Sequence, residues 1–369
     1  MSKSFHAEHG VVCDMADQTL GYFGWPTVGR LEDGTLIVAS SGLRMQHVDP
    51  TGRTVILISR DDGASWSSPR VINDSPFDDR DGGVIGLGGE KALVTWFTSD
   101  TRHYVPGWEK GYLDVIKPGM TWQTEAWASK FVGAWTSRTE DGGATWTQPT
   151  RCPVNSPHGP TRLKSGDLLY LGKVFNGDMV SLTAGKGDVI ASTSRDDGET
   201  WDTLGVVPYV KGTSEPSLHE AHVCEAPSGK LVGLIRVERV DADLAEDGLQ
   251  PFSHIQTESS DGGRTWTTPK PWGFRGSPPH LMTHSTGAIV CVYGHREATG
   301  SGQRASISHD EGATWTHSLI LRDDGPDTDL GYPSSVELDD GSIFTVYYQK
   351  PRTAADKPAL LSTRWRLPE

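Results

Sequence analysis

The chain has 369 residues, with 34 Lys and Arg against 48 Asp and Glu and a formal net charge of −14. That balance excludes a general nucleic-acid binder, which needs a basic face. The four cysteines, Cys13, Cys152, Cys224 and Cys291, are far apart and lack metal-ligand spacing, and no apolar run is long enough to span a membrane. The opening MSKSFHAEHG has no apolar stretch of the kind a secretory leader carries, so a cytoplasmic protein with free thiols is expected.

In chain order, six segments share one pattern of alternating apolar residues, a Gly-containing turn and an apolar run: Trp25 to Val38, Asp81 to Val94, Pro157 to Leu171, Glu220 to Ile235, Pro278 to Val292 and Tyr332 to Val346. Each reads as a strand, a hairpin and a second strand. Five of them are followed by the turn Ser/Thr-x-Asp-x-Gly-x-Thr/Ser-Trp, ending at Trp66, Trp146, Trp201, Trp266 and Trp315. The Asp can accept from the backbone amides ahead of it, the Gly supplies a positive φ, and the Trp packs back over the turn. The sixth segment ends in a strand without such a turn, Ala359 to Trp365.

Repeats at spacings of tens of residues are a signature of propellers and solenoids. The fold expected is all-β: one six-bladed β-propeller of four-stranded antiparallel blades over residues 1–369. The N-terminal stretch from Phe5 to Asp14 would add a strand to the last blade and close the ring. An aromatic-rich insertion at about 101–130, with Tyr104, Trp108, Tyr112, Trp122 and Trp127, stands outside the pattern. It reads either as rim packing, open to an oligomer contact, or as an aromatic wall over the central pocket. Acidic segments near 240–248 and 322–329 read as surface loops.

Aligning the six inner strands on their turn glycines brings Trp25, Asp81, Pro157, Glu220, Pro278 and Tyr332 into one column at the mouth of the central channel. Two carboxylates and a tyrosine from different blades then share a small space, an arrangement that perturbs pKa values and clusters at functional sites. His158, His222 and His280, with His219 and His295, also fall near inner-strand mouths. They read as hydrogen-bonding residues of the pocket, with no metal.

With its five turns and this column, the chain resembles the sialidase superfamily of Asp-box propellers along nearly its whole length. The resemblance implies that Asp81 is the general acid/base, Tyr332 the nucleophile and Glu220 the base that takes the phenolic proton. A second reading of Glu220 is an ion pair with Arg236. Of the family's three carboxylate-binding arginines, Arg236 and Arg296 match two, whereas Gly24 stands at the position of the first. Arg80 or Arg44 would have to replace it, and Trp25 narrows the same spot. The implied activity is removal of a terminal acidic sugar from an oligosaccharide, by a retaining mechanism without a cofactor. A uronate lyase, a neutral sugar stacked on Trp25 and a non-catalytic sugar-binding propeller are the alternatives.

Overall fold

The structure is a computed structural model, and it describes residues 6–174, 188–214, 217–241 and 248–368. Its strands form six antiparallel sheets arranged as the blades of a propeller. Blade I holds β2 (Tyr22–Arg30), β3 (Leu36–Arg44), β4 (Arg53–Ser59) and β5 (Arg70–Asn73). Blade II holds β6 (Asp78–Gly88), β7 (Lys91–Ser99), β8 (Gly133–Thr139) and β9 (Thr150–Cys152). Blade IV holds β15 (Leu218–Glu225), β16 (Leu231–Val237), β17 (Ser253–Ser259) and β18 (Lys270–Arg275). Blade V runs from β19 (Pro279–Thr283) through β20 (Ile289–His295) and β21 (Gly302–Ser308) to β22 (Thr316–Arg322).

Blade VI combines β23 (Gly331–Glu337), β24 (Ile343–Gln349) and β25 (Ala359–Trp365) with β1 (Ala7–Cys13), which pairs with β25 from Ala7 opposite Trp365 onward. The N-terminal strand thus closes the ring as the sequence suggested, by completing the last blade as its outer strand. Blade III departs from the simple pattern. Its inner strand is split into β10 (Val154–Asn155) and β11 (Thr161–Arg162), both pairing with β12 (Leu168–Val174), followed by β13 (Val189–Ser194) and β14 (Asp202–Val206). Pro157 and Pro160 fall in the break, where the missing N–H groups cannot support a ladder.

Second strands are buried along both faces: Leu36, Ile37, Val38 and Ala39 in β3 are each 0% exposed. Each such Leu, Ile or Val side chain contributes about 1.5–3 kcal/mol by leaving water, and the apolar clusters fill the gaps between adjacent blades. One joins β2 and β3 to β23, β24 and β25, and another joins blades I and II.

The five turns connect third to fourth strands at the end of the ring opposite the mouth. In each, the leading Ser or Thr hydroxyl accepts the Gly N–H, and the Asp accepts the N–H four residues on: Ser65 to Asp61 at 2.8 Å, Thr145 to Asp141 at 2.8 Å, Thr200 to Asp196 at 2.9 Å, Thr265 to Asp261 at 2.9 Å and Thr314 to Asp310 at 2.8 Å. Residues 101–132, between β7 and β8, form short helical turns, including α1 (Lys110–Ile116) and α2 (Glu125–Phe131). This excursion is tied to blades I and II, since Gln123 donates to the carbonyls of Pro50 and Pro76. All four cysteines are buried and unpaired, and no described helix is long and apolar enough to cross a membrane.

Candidate active site

Four of the six column residues share a backbone state that the sequence did not announce. Trp25 (φ 54°), Asp81 (φ 54°), Glu220 (φ 54°) and Tyr332 (φ 50°) all occupy the left-handed region, which is uncommon for residues with a bulky side chain. At each, the inner strand spends three residues against two of its neighbour: Gly24–Thr27 against Ser41–Ala39, Arg80–Gly83 against Phe97–Thr95, His219–His222 against Arg236–Leu234, and Gly331–Ser334 against Tyr348–Val346. The same β-bulge therefore recurs in blades I, II, IV and VI, and it re-aims one side chain toward the axis. Backbone strain of this kind collects at functional sites. It also puts Asp81 in register with Trp25, Glu220 and Tyr332.

The bulged residues open onto a cavity of about 190 Å³ lined by Trp25, Asp81, Glu220 and Tyr332 together with Arg80, Arg236 and Arg296. The Tyr332 hydroxyl donates to Glu220 Oε1 at 2.6 Å. Arg236 Nη1 donates to Glu220 Oε2 and lies 3.4 Å from the Tyr332 hydroxyl, and its Nη2 meets Glu238 Oε2 at 2.6 Å. Glu220 thus meets Arg236 as an ion-pair partner and Tyr332 as a hydrogen-bond acceptor at once. Burial pushes the Glu220 carboxyl up, but Arg236, His219 and the Tyr332 hydroxyl outweigh it and hold it well below the carboxylate range. Burial, reinforced by Glu220, keeps the Tyr332 phenol protonated far above its ordinary value. Burial also drives Asp81 up to about 7, with Arg80 opposing and Glu220 adding to the rise. Glu220 and Asp81 are therefore set apart: one ionised, one holding its proton near neutrality.

The arginines differ in what they have left to offer. Arg44 is a correction to the expected site. It is 0% exposed, does not line the cavity, and forms a two-pronged ion pair with Asp78 at 2.5 and 3.0 Å. Arg80 does line the cavity, with its guanidinium 4.1 Å from the Trp25 ring centroid and 3.2 Å from Asp78. Trp25 is only 1% exposed, with Arg80 and Arg44 against its ring, so it offers no open face on which a sugar could stack. Arg236 is doubly paired, as above. Arg296 donates through Nε to the Leu330 carbonyl at 2.8 Å and lies 5.4 Å from the Tyr332 ring, while its Nη2 is buried without a hydrogen-bond partner.

His158, His222 and His280 are brought together, but away from the carboxylates. They line a separate cavity that enters from the opposite end of the channel, with His222 and His280 stacked at 4.5 Å and His158 edge-on to both. His222 Nδ1 accepts the Leu281 N–H at 3.0 Å, and His280 Nδ1 accepts that of Ser335 at 3.4 Å, which assigns the ring protons to Nε2. Rings with that tautomer do not present a free lone pair to a metal, and among the described residues no group of His, Cys, Asp or Glu has metal-binding geometry. Burial keeps all three neutral.

Sequence reasoning overlooked Glu238, Tyr348 and Asp329. Glu238 stands two residues after Arg236, a spacing that keeps both on one face of a strand. Asp329, assigned by composition to a surface loop, instead accepts from the hydroxyls of Tyr22 and Tyr348 and lies 3.2 Å from His47 Nδ1 beside Trp25. The rest of the 322–329 segment keeps its ion pair of Arg322 with Asp324 at 2.5 Å on the surface, and part of 240–248 lies outside the described residues. Of the insertion's aromatics only Tyr104 lines the cavity, with Thr101 at its root, whereas Trp122 is 65% exposed.

Solved structures share this architecture at low identity. A Dyadobacter fermentans protein of unknown function matches at 22% identity and TM-score 0.74, over 98% of each chain. An intramolecular trans-sialidase from Ruminococcus gnavus, in complex with oseltamivir carboxylate, matches at 14% and 0.62 over 96% of each. An α-L-arabinofuranosidase from Fusarium graminearum, in complex with an iminosugar inhibitor, matches at 12% and 0.58 over 97% of each. At such identities the likeness carries the fold: an all-β, sialidase-like six-bladed propeller. No curated protein sequence matches the chain. A family model described as a BNR repeat-like domain matches residues 116–345, more than half of the sequence. The chain belongs to the BNR repeat-like domain family.

Proposed function

We propose that the protein is a retaining exo-glycosidase that removes a terminal acidic sugar from an oligosaccharide. One observation carries the reading: the 2.6 Å hydrogen bond from buried Tyr332 to an ionised Glu220, facing the same cavity as an Asp81 carboxyl poised near neutrality. A phenol beside a carboxylate base is a nucleophile that does not repel an anionic sugar. In the first step Tyr332 Oη attacks the anomeric carbon and its proton passes to Glu220. The bond to the leaving-group oxygen breaks as Asp81 gives that oxygen its proton. In the second step Asp81 takes a proton from water, the water oxygen attacks the anomeric carbon, and the departing Tyr332 oxygen regains its proton from Glu220.

Arg296, with an unpartnered Nη2, and Arg80, laid over Trp25, supply the positive charge for the sugar's acidic group. In this reading Arg80 replaces the guanidinium missing at Gly24. The pairing of Arg236 with both Glu220 and Glu238 favours a second reading, a neutral sugar whose hydroxyl donates to Glu238. The test is turnover of 4-methylumbelliferyl glycosides of sialic acid, glucuronic acid and arabinofuranose, with the first-formed anomer read by NMR. Release with retained configuration supports the proposal. Inversion, or an unsaturated uronate product whose alkene conjugated with the carboxylate absorbs in the ultraviolet, overturns it.

A further inference from the structure

A second cavity, of about 260 Å³, is lined by Phe252, Arg275, Ser277, Arg296, Glu297 and Thr328. Arg296 belongs to both cavities, so this space adjoins the one that holds Tyr332 and Glu220 at that side chain. Phe252 is the unusual member. Its φ of 59° places a bulky aromatic residue in the left-handed region, and the residue is 37% exposed. The conformation is enforced from both sides, because the Phe252 N–H donates to the Val237 carbonyl at 2.7 Å and its own carbonyl accepts the Gly276 N–H at 2.7 Å. Strain persists where the surroundings over-determine it, and an exposed ring gains no core packing in return. The ring sits 5.2 Å from the Arg236 guanidinium, tied to the catalytic cluster, and also faces the second cavity.

We infer that this second cavity binds the next saccharide unit of the substrate, with Phe252 as the stacking surface, so that the protein acts on disaccharides or longer chains. The inference rests on the glycosidase reading of the first cavity. A flat apolar ring suits the C–H face of a pyranose or furanose. Around it stand Ser277, Thr328 and the Arg275–Glu297 pair, whose 3.4 Å separation between half-exposed partners leaves both able to meet sugar hydroxyls. An aromatic wall with a few convergent polar groups is the general make-up of a small-ligand site. The unpartnered Nη2 of Arg296 at the shared wall is placed for a group at the junction of two sugar units.

The test compares 3′-sialyllactose, digalacturonic acid and arabinobiose with the matching 4-methylumbelliferyl monosaccharide glycosides, using wild type, Phe252→Gly and Phe252→Tyr. Glycine suits the φ of 59° and removes the ring without disturbing the turn. The expected result is a roughly ten-fold fall in the ratio of kcat/KM for the oligosaccharide to that for the aryl glycoside in Phe252→Gly, with recovery in Phe252→Tyr. An unaltered ratio overturns the second site while leaving the glycosidase reading intact. Should no substrate turn over, calorimetric titration of the same three oligosaccharides into wild type and Phe252→Gly decides the matter by binding. Weaker binding by the glycine variant supports the site, whereas equal binding, or none by either protein, overturns it.

Discussion

The two ends of the propeller solve the same backbone problem in opposite ways. At the turn end, left-handed residues such as Asp62, Asp197 and Glu311 sit beside a glycine, and the bonds that shape each turn run within four residues along the chain, as in the Ser59–Asp61–Ser65 bonds. At the mouth, the left-handed residues are Trp25, Asp81, Glu220 and Tyr332, and their partners are far away in sequence: Glu220 and Tyr332 are 112 residues apart. One end is a self-contained local motif that specifies the scaffold. The other depends on the closed ring to assemble it, and the buried carboxyls of Asp81 and Glu220 meet there. A fold of this kind can therefore keep its turns while its chemistry changes at the bulges.

The largest effect expected at the mouth comes from Tyr332→Phe. Without the phenolic oxygen there is no nucleophile, and kcat should fall by roughly 10³-fold or more with little change in melting temperature. Retained turnover in this variant would remove Tyr332 from the mechanism. Next in size is Asp81→Asn, which should cost about 10²–10⁴-fold through loss of acid catalysis. In wild type, the acid form is lost as pH rises through about 7, so kcat/KM should decline above that pH. Stability moves in the same direction. The Asp81 carboxyl is raised by burial from 3.8 to about 7, so its contribution is complete below the unfolded value and disappears as pH climbs through the folded one. Between pH 4 and pH 8 the melting temperature of wild type should therefore drop relative to Asp81→Asn. Asp79, likewise raised to about 7 by burial, is present in both proteins and cancels in the comparison. A wild-type curve parallel to that of the variant would show that Asp81 ionises normally.

How much of this was legible follows from the same contrast between local and distant partners. The turns announced themselves because Asp, Gly and Trp recur at fixed spacing, and five of them with a sixth unmatched segment implied six blades and a ring closed by the N-terminus. The column from Trp25 to Tyr332 was also readable, since aligning the inner strands on their turn glycines places equivalent residues at one level. What a linear alignment could not carry was the bulge itself, the pairing of Arg44 with Asp78, or the depth at which His158, His222 and His280 sit. Those depend on which neighbour a side chain meets after a strand gains one residue. Arg44 and Arg80 were equal candidates on paper. Their fates parted because Arg44 is enclosed by Ser41, Asp78 and the carbonyls of Gln46 and His47, whereas Arg80 emerges across Trp25 into the cavity.

A smaller effect at the mouth should come from Glu238→Gln, and it separates the two substrate readings. The substitution removes the charge opposite Arg236 Nη2 while leaving the pairing with Glu220. If the sugar is acidic, a guanidinium freed from one carboxylate should improve its kcat/KM, by about ten-fold relative to arabinoside turnover. If the sugar is neutral and donates a hydroxyl to Glu238, the variant should lose activity on it instead. The ratio of the two rates reports the sign directly.

The smallest effect belongs to the turn end, where Asp141→Ala tests whether the scaffold is separable from the chemistry. Asp141 accepts the Thr145 hydroxyl at 2.6 Å and the Thr145 N–H at 2.8 Å, and the Thr139 hydroxyl at 2.7 Å. These bonds, the Thr145 hydroxyl foremost, hold its carboxyl down to about 2. The stabilisation is present above the unfolded value near 3.8 and vanishes as pH falls toward 2, so the variant should differ from wild type at pH 7 and converge with it in acid. Because the carboxylate is fully exposed and four other turns remain, the melting temperature should fall by only a few degrees. Turnover per folded molecule should not change, since every partner of Asp141 lies within its own turn. A loss of kcat here would mean that the two ends of the propeller are coupled through blade II, and that the turns do more than hold the ring.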